Sequence, residues 1–231
     1  KNSGYRDIQI LSEDVTFNPD AIIITIDIIE GEQNFYNKID FDGNYKFSNE
    51  DLLETLGLIK GEVFNEGLFN LSLYELNKKY MDEGYYFIQI LNEVVPVEEN
   101  KINIYFKINE SNKTKIRKIT ISGNEKTHDN VIRREIKILP GDTFNMKKLE
   151  ESYREIFILD YFESVDPQIL TIGDFTDFVD IDFKVIEKET GRANFSMGYN
   201  ELHGFTGGGG FEFINFMGKG QLLGIEYQRG L

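Results

Sequence analysis

The chain has 231 residues, with 25 basic side chains against 40 acidic ones, and no cysteine. A net charge of −15 excludes nucleic acid and broad contact with anionic lipid headgroups, because both need Lys and Arg patches. The missing cysteine excludes a disulfide framework, a thiol nucleophile and a Cys/His zinc site. No apolar run reaches the ~18 residues of a spanning helix, so any encounter with a bilayer core must be made by β-structure.

The length suggests one or two domains, and the apolar content of 40% is enough for ordinary cores. The charge is uneven. From Gly191 onward three basic residues (Arg192, Lys219, Arg229) balance three acidic ones (Glu201, Glu212, Glu226), so all the net charge lies in residues 1–190. This pattern predicts two environments: an acidic soluble part and a neutral part rich in glycine and aromatics.

In residues 1–32, Ile22, Ile24, Ile26 and Ile28 alternate with Ile23, Thr25 and Asp27, the period of a strand. A repeat then becomes visible at a spacing of 80. Gly84-Tyr85 and Ile88-Gln89-Ile90-Leu91 echo Gly4-Tyr5 and Ile8-Gln9-Ile10-Leu11. Lys38-Ile39-Asp40-Phe41-Asp42-Gly43-Asn44 matches Lys118-Ile119-Thr120-Ile121-Ser122-Gly123-Asn124, and Gly61, Phe64 and Asn65 match Gly141, Phe144 and Asn145. Fixed-period similarity means tandem copies of one small fold. Two complete copies are expected at 33–111 and 112–189, preceded by the end of another at 1–32.

Each copy reads strand, helix, helix, strand, strand. Ile39 and Phe41, or Ile119 and Ile121, mark the first strand. Ser48 is the expected N-cap of a helix over 49–58, with Leu52, Leu53 and Leu56 buried, and Thr127 the expected cap of a helix over 129–138. Asn65 and Asn145 cap the second helices. Phe69, Leu73, Leu76 and Tyr80, matched by Leu149, Tyr153 and Ile156, form their buried stripes. The last strands alternate most clearly: Ile102, Ile104, Phe106 and Ile108, then Val179, Ile181, Phe183 and Val185. Alternation predicts helices on one face of the sheet and water on the other. These strands should be central, which leaves the strand around Ile88–Leu91 at an edge.

The tail begins Thr190-Gly191-Arg192-Ala193-Asn194-Phe195-Ser196-Met197-Gly198-Tyr199 and holds 11 of the 21 glycines. Ala193, Phe195, Met197 and Tyr199 share one face, as do Gly209, Phe211 and Phe213, and then Leu223, Ile225 and Tyr227. Strands of ~10 residues, apolar on one face and small or polar on the other, suit a barrel wall in lipid. Three cannot close a barrel, since the smallest membrane barrels have ~8 strands. The chain therefore reads as a soluble region leading into the first strands of a truncated barrel. Because a lone three-stranded sheet is marginal in water, self-association of these strands is expected.

A tandem βααββ unit running straight into a glycine- and aromatic-rich strand resembles the POTRA (polypeptide-transport-associated) domains of the BamA family of outer-membrane assembly factors. Glu189-Thr190-Gly191 with Phe195–Tyr199 looks like that family's first barrel strand. Asn215-Phe216-Met217-Gly218-Lys219-Gly220 is similar to its Asn-Trp-Leu-Gly-x-Gly turn, with Phe216 in place of Trp. Leu159-Asp160-Tyr161-Phe162-Glu163-Ser164-Val165 is similar to its Leu-Gly-Tyr-Phe-x-x-Val, with Asp160 in place of Gly. The implied fold is α+β: tandem POTRA domains, each a three-stranded mixed sheet with two helices on one face, then the first antiparallel barrel strands (190–231). The resemblance also implies a bacterial outer-membrane location with the POTRA domains in the periplasm. The implied partners are unfolded outer-membrane proteins, accessory assembly lipoproteins and, through the barrel, membrane lipid. That family usually carries five such domains, which would make 1–189 the end of the third, the fourth and the fifth.

No enzyme, cofactor or metal site is expected. His128 and His203 are the only histidines and fall in different segments. Asp174, Asp177, Asp180 and Asp182 lack calcium-loop spacing and read as a wet strand face. Gly207–Gly210 has no Lys-Ser or Lys-Thr after it to make a phosphate cradle. The candidate sites are strand edges that accept an incoming strand. One is Ile88, Gln89, Ile90 and Leu91, unless a neighbouring domain covers it. The other is Asn194, Phe195, Ser196, Met197, Gly198 and Tyr199, at the expected barrel seam. The alternative function is a two-partner secretion pore exporting an unfolded polypeptide. A third, a periplasmic scaffold, has no use for barrel strands.

Overall fold

The computed structural model describes residues 3–98, 100–173, 175–200 and 204–230. The chain forms two compact units, 1–112 and 113–231.

In the first unit, β1 (Gln9–Phe17) and β2 (Ile22–Ile29) pair antiparallel as a two-stranded sheet. A complete βααββ domain follows: β3 (Phe35–Asp42), α1 (Asn49–Leu56), α2 (Glu66–Asp82), β4 (Gln89–Val97) and β5 (Lys101–Asn109). The sheet order is β3-β5-β4, with β3 parallel and β4 antiparallel to the central β5. The second unit repeats it with β6 (Lys115–Ser122), α3 (Asp129–Arg133), α4 (Met146–Ile158), β7 (Phe162–Ile172) and β8 (Phe175–Glu187), in the order β6-β8-β7. A three-stranded antiparallel sheet ends the unit: β9 (Gly191–Asn200), β10 (Gly204–Phe213) and β11 (Leu223–Gly230), with β10 central.

The alternating strands are the central ones, as their pattern requires. Ile102, Ile104, Phe106 and Ile108 are 0–4% exposed, and Val179, Ile181, Phe183 and Val185 are 0–2% exposed. Leu52, Leu56, Phe69, Leu76 and Tyr80 from α1 and α2 complete the first core. Both edge strands beside the centre carry a proline, Pro96 in β4 and Pro167 in β7. A proline lacks the N–H that an inner strand would have to donate, so it is tolerated at an edge. The first strand of each domain ends at a glycine because the chain passes hard against the central strand. A Cβ on Gly43 would lie 2.1 Å from the Ile108 carbonyl oxygen, and one on Gly123 would lie 2.0 Å from that of Val185.

Ser48 caps α1 in a full capping box with Asp51, and Asn65 and Asn145 cap α2 and α4. Three expectations need correction. Leu53 is 36% exposed, because the buried face of the short α1 takes Leu52 and Leu56. Tyr153 is 38% exposed and stacks on Phe157 at the surface of α4. The buried position there is Ser152, whose hydroxyl accepts the Lys137 N–H, just as Ser72 lies buried in α2. Finally, Thr127 does not cap α3. The N-cap is His128, its side chain makes no capping bond, and the α-helix stops at Arg133.

The β1–β2 sheet offers an internal contrast. Ile26 stands where Phe106 stands one repeat later, yet it is 53% exposed, because α1 and α2 pack on the β3–β5–β4 sheet instead. Phe106→Ala or Phe183→Ala should cost ~3–5 kcal/mol, the usual cost of deleting a buried phenyl ring. Ile26→Ala should stay within ~0.5 kcal/mol in this chain, as surface changes do. Chemical denaturation of the three variants checks the assignment of faces.

Candidate functional site

The first candidate edge belongs to β4. Among the described residues no strand pairs with its outer side. By contrast, the 61–64 segment covers part of the outer side of β3, through Tyr36 N–H to the Glu62 carbonyl (2.9 Å) and Phe64 N–H to the Asn34 carbonyl (2.8 Å). Gln89 and Leu91 are exposed on β4, and Ile90 is half-buried against the core. Ile88 is not on the edge. It precedes the strand, sits 9% exposed within the core, and donates its N–H back to Tyr85. The Gly84-Tyr85 turn makes this difference, since it must bring the chain from α2 onto the sheet before the ladder can start.

The second edge is β9. Its inner side pairs with β10 from Gly191↔Phe213 to Asn200↔Gly204, and no described strand lies on its outer side. Phe195, Met197 and Tyr199 project from one face at 81%, 87% and 66% exposure, beside Phe211, Ile225 and Tyr227. Asn194, Ser196 and Gly198 lie on the opposite face. Middle-strand glycines keep that face thin: a Cβ on Gly208 would fall 2.9 Å from the Gln228 side chain, and one on Gly210 would fall 2.7 Å from Asn194 Oδ1.

The turn between β10 and β11 is held against the βααββ domain of the same unit. Asn215 Oδ1 accepts the Gly220 N–H at 2.8 Å and closes the turn. Asn215 Nδ2 donates to Thr127 Oγ1 at 2.8 Å, and the buried Thr127 hydroxyl in turn bonds Glu187. Glu187 also accepts the N–H groups of Lys126 (2.8 Å) and Thr127 (2.6 Å). Gly218, at φ +69°, sits so close that a Cβ would meet the Lys126 carbonyl oxygen at 1.9 Å. Its own carbonyl accepts the His128 N–H at 2.9 Å. Nearby, Asp160 pairs with Lys188 and, at 2.9 Å, with Arg192 at the root of β9. The Lys188 ammonium, helped by Arg192, holds the Asp160 carboxyl below the usual range.

The sequence reading missed Thr127, Asn215 and Gly218 as a contact set. A signal was present: the 80-residue register sets Thr127 against Phe47 and His128 against Ser48, so the copies differ at the cap and its neighbour. Asp180 and Asp182 lie among strand-face bonds, with Arg117 and with Thr120 and Ser122. Among the described residues no group of three potential metal ligands assembles. His203 and Asp174 lie outside the described residues.

A family model described as POTRA, surface antigen variable number repeat, matches residues 35–111 and 114–188. The chain belongs to the POTRA family. A similar relative is an outer membrane protein assembly factor BamA of Nitratidesulfovibrio vulgaris, 31% identical over 97% of this chain and 29% of its own length. A putative outer membrane protein assembly factor of Treponema pallidum is 30% identical over 98% of this chain and 28% of its own length. The chain thus spans less than a third of these relatives. Among solved structures, BamA from Haemophilus ducreyi lacking POTRA domains 1-3 superposes with a TM-score of 0.73 at 25% identity, covering 86% of this chain and 37% of that one. Haemophilus influenzae BamA POTRA3-5 shares the fold, with a TM-score of 0.69 at 24% identity over 80% of this chain and 75% of that one.

Within the second POTRA domain, burial alone would push the Glu187 carboxyl up. The Thr127 hydroxyl and the loop N–H groups outweigh it and hold the group below its ordinary value of 4.5. A depressed folded-state value contributes stability above the ordinary value and loses it as pH falls through the folded one. The stability difference between wild type and Glu187→Gln should therefore be largest above pH 5 and shrink steadily below about pH 4. Thermal melts across that range measure it.

Proposed function

We propose that this chain is the membrane-proximal part of an outer-membrane β-barrel assembly factor. The observation that carries the reading is the second unit itself. A POTRA domain runs within a few residues into β9, an edge strand that pairs on one side only among the described residues and whose sheet exposes a continuous apolar face. Relatives matched along almost the whole chain are named outer membrane protein assembly factors, and this supports the assignment. In this reading residues 1–32 end one POTRA domain, and 33–111 and 112–189 are the next two. Residues 190–231 begin a transmembrane barrel in the bacterial outer membrane, with the POTRA domains in the periplasm. Phe195, Met197, Tyr199, Phe211, Ile225 and Tyr227 then face lipid, while the thin face of Asn194, Ser196, Gly208 and Gly210 lines the interior.

The partners would be unfolded outer-membrane proteins, with accessory lipoproteins assisting. Their strands would add to the backbone of β9 at Asn194–Tyr199, and transiently to β4 at Gln89–Leu91. Edge pairing reads main-chain groups and is almost blind to side chains, which suits a factor with many clients. No catalytic chemistry is required. A two-partner secretion pore would use the same parts, but the relatives' names favour assembly.

The edge can be tested by placing single cysteines along Asn194–Tyr199 of the full-length protein and one in the terminal strand of a client barrel. Disulfide crosslinks should form along this stretch while the client assembles. Crosslinks confined to POTRA positions, with none along β9, would overturn the reading.

A further inference from the structure

In the first complete POTRA domain, α1 is self-sufficient. The Ser48 hydroxyl accepts the Asp51 N–H at 3.2 Å, and the Asp51 carboxylate accepts the Ser48 N–H at 3.3 Å. The same loop is tied down by Glu110, which accepts the Lys46 N–H at 2.8 Å, as Glu187 accepts that of Lys126. The frames match; the caps do not. In the second domain His128 occupies the cap position and makes no side-chain capping bond, and Val131 stands where Asp51 stood. Half of the box is lost with the serine and half with the aspartate. The His128 N–H, the group that a capping-box carboxylate would take, goes instead to the carbonyl of Gly218. Thr127, which replaces the aromatic Phe47, turns its hydroxyl to Asn215 of the same turn.

We propose that the β10–β11 turn is the missing cap of α3, so that the POTRA domain and the β9–β11 sheet are locked to each other through one helix end. Thr127, Asn215 and Gly218 are then positioning residues that fix the direction in which the β9 edge leaves the domain. Asp160 adds a second tie through Lys188 and Arg192, but exposed ion pairs contribute little, and the turn is the main lock. The positioning role rests on the assembly reading above; the lock itself does not.

The 231-residue chain has no cysteine, so spin-label pairs can be placed cleanly in detergent micelles. One pair, at Glu155→Cys and Gln228→Cys, spans domain and sheet; a control pair, at Glu155→Cys and Gln168→Cys, lies within the domain. Wild type and Thr127→Ser should give one narrow distance across the junction. Gly218→Ala, whose methyl group cannot fit against Lys126, and Thr127→Val should broaden it and leave the control pair narrow. Amide exchange over 128–133 should quicken about fivefold in the same variants, the scale of a lost helix cap. Unchanged distances and exchange in Gly218→Ala would overturn the lock. If Gly218→Ala also broadens the control pair, the domain has lost its fold and the Thr127 variants decide. Broadening with Val but not with Ser supports the lock, and identical behaviour overturns it. In the full-length protein, a loosened junction with undiminished client assembly would count against strand templating at β9 while leaving the lock standing.

Discussion

The burial of one face of the central strand sets almost everything else in each POTRA domain. On β5, and on β8 from Val179 to Val185, every second side chain is excluded from water, and the ones between are polar or charged. Helices can therefore cover only one side. Two helices are the cover that a three-stranded sheet of this width accepts, and they must return to the same side, which fixes the βααββ order. The β1–β2 pair shows the constraint by its violation. Its isoleucines have the same period as β5, yet remain largely exposed where no helix covers them. The pattern is a demand for cover, and the cover must come from elsewhere in the chain's fold.

A three-stranded sheet necessarily has two outer edges, and the edges here are not equivalent. The 61–64 segment blunts part of β3. β4 carries Pro96 and Glu93, which disfavour casual pairing. Between Asn194 and Tyr199, β9 has neither a proline nor a charge, and its apolar side chains stand exposed. Sheet edges of this kind aggregate unless they are paired or sheltered. Under the proposed assembly role, an unguarded edge following a guarded one favours β9 over β4 as the place of strand addition.

The period of 80, the two Asn caps and the alternating strands were legible because each is a local rule obeyed twice. What was not legible came from choices between near-equal local options. Thr127 and His128 are adjacent, and a threonine is by itself the better cap. Its hydroxyl is engaged instead by Glu187 and by Asn215 of the 215–220 turn, almost 90 residues away. Tyr153 follows the helical period about as well as Ser152 does. The serine is the one taken inward because the Lys137 N–H needs an acceptor there. Ile88 sits at the point where a turn ends and a strand begins, and periodicity cannot tell a last core residue from a first edge residue. Asn215 and Gly218 carried a visible motif, but the docking partner of a turn is a tertiary fact.

The comparison of the two domains explains how a repeat becomes a junction. α1 runs for 8 residues behind its own capping box; α3 runs for 5, with Val131 and Ile132 inside it. β-branched residues are poor helix formers, because the preceding turn restricts their rotamers. The second helix is thus weaker in both nucleation and propensity. It persists because Val131 and Ile132 are buried and because the N–H of its N-cap residue, His128, finds an acceptor in the distant Gly218. A domain whose helix end is completed by the following sheet cannot reach its most stable form before that sheet is in place. The changes at three register positions, Phe47, Ser48 and Asp51 to Thr127, His128 and Val131, therefore convert a repeat with its own helix cap into one whose order reports on the strands it supports.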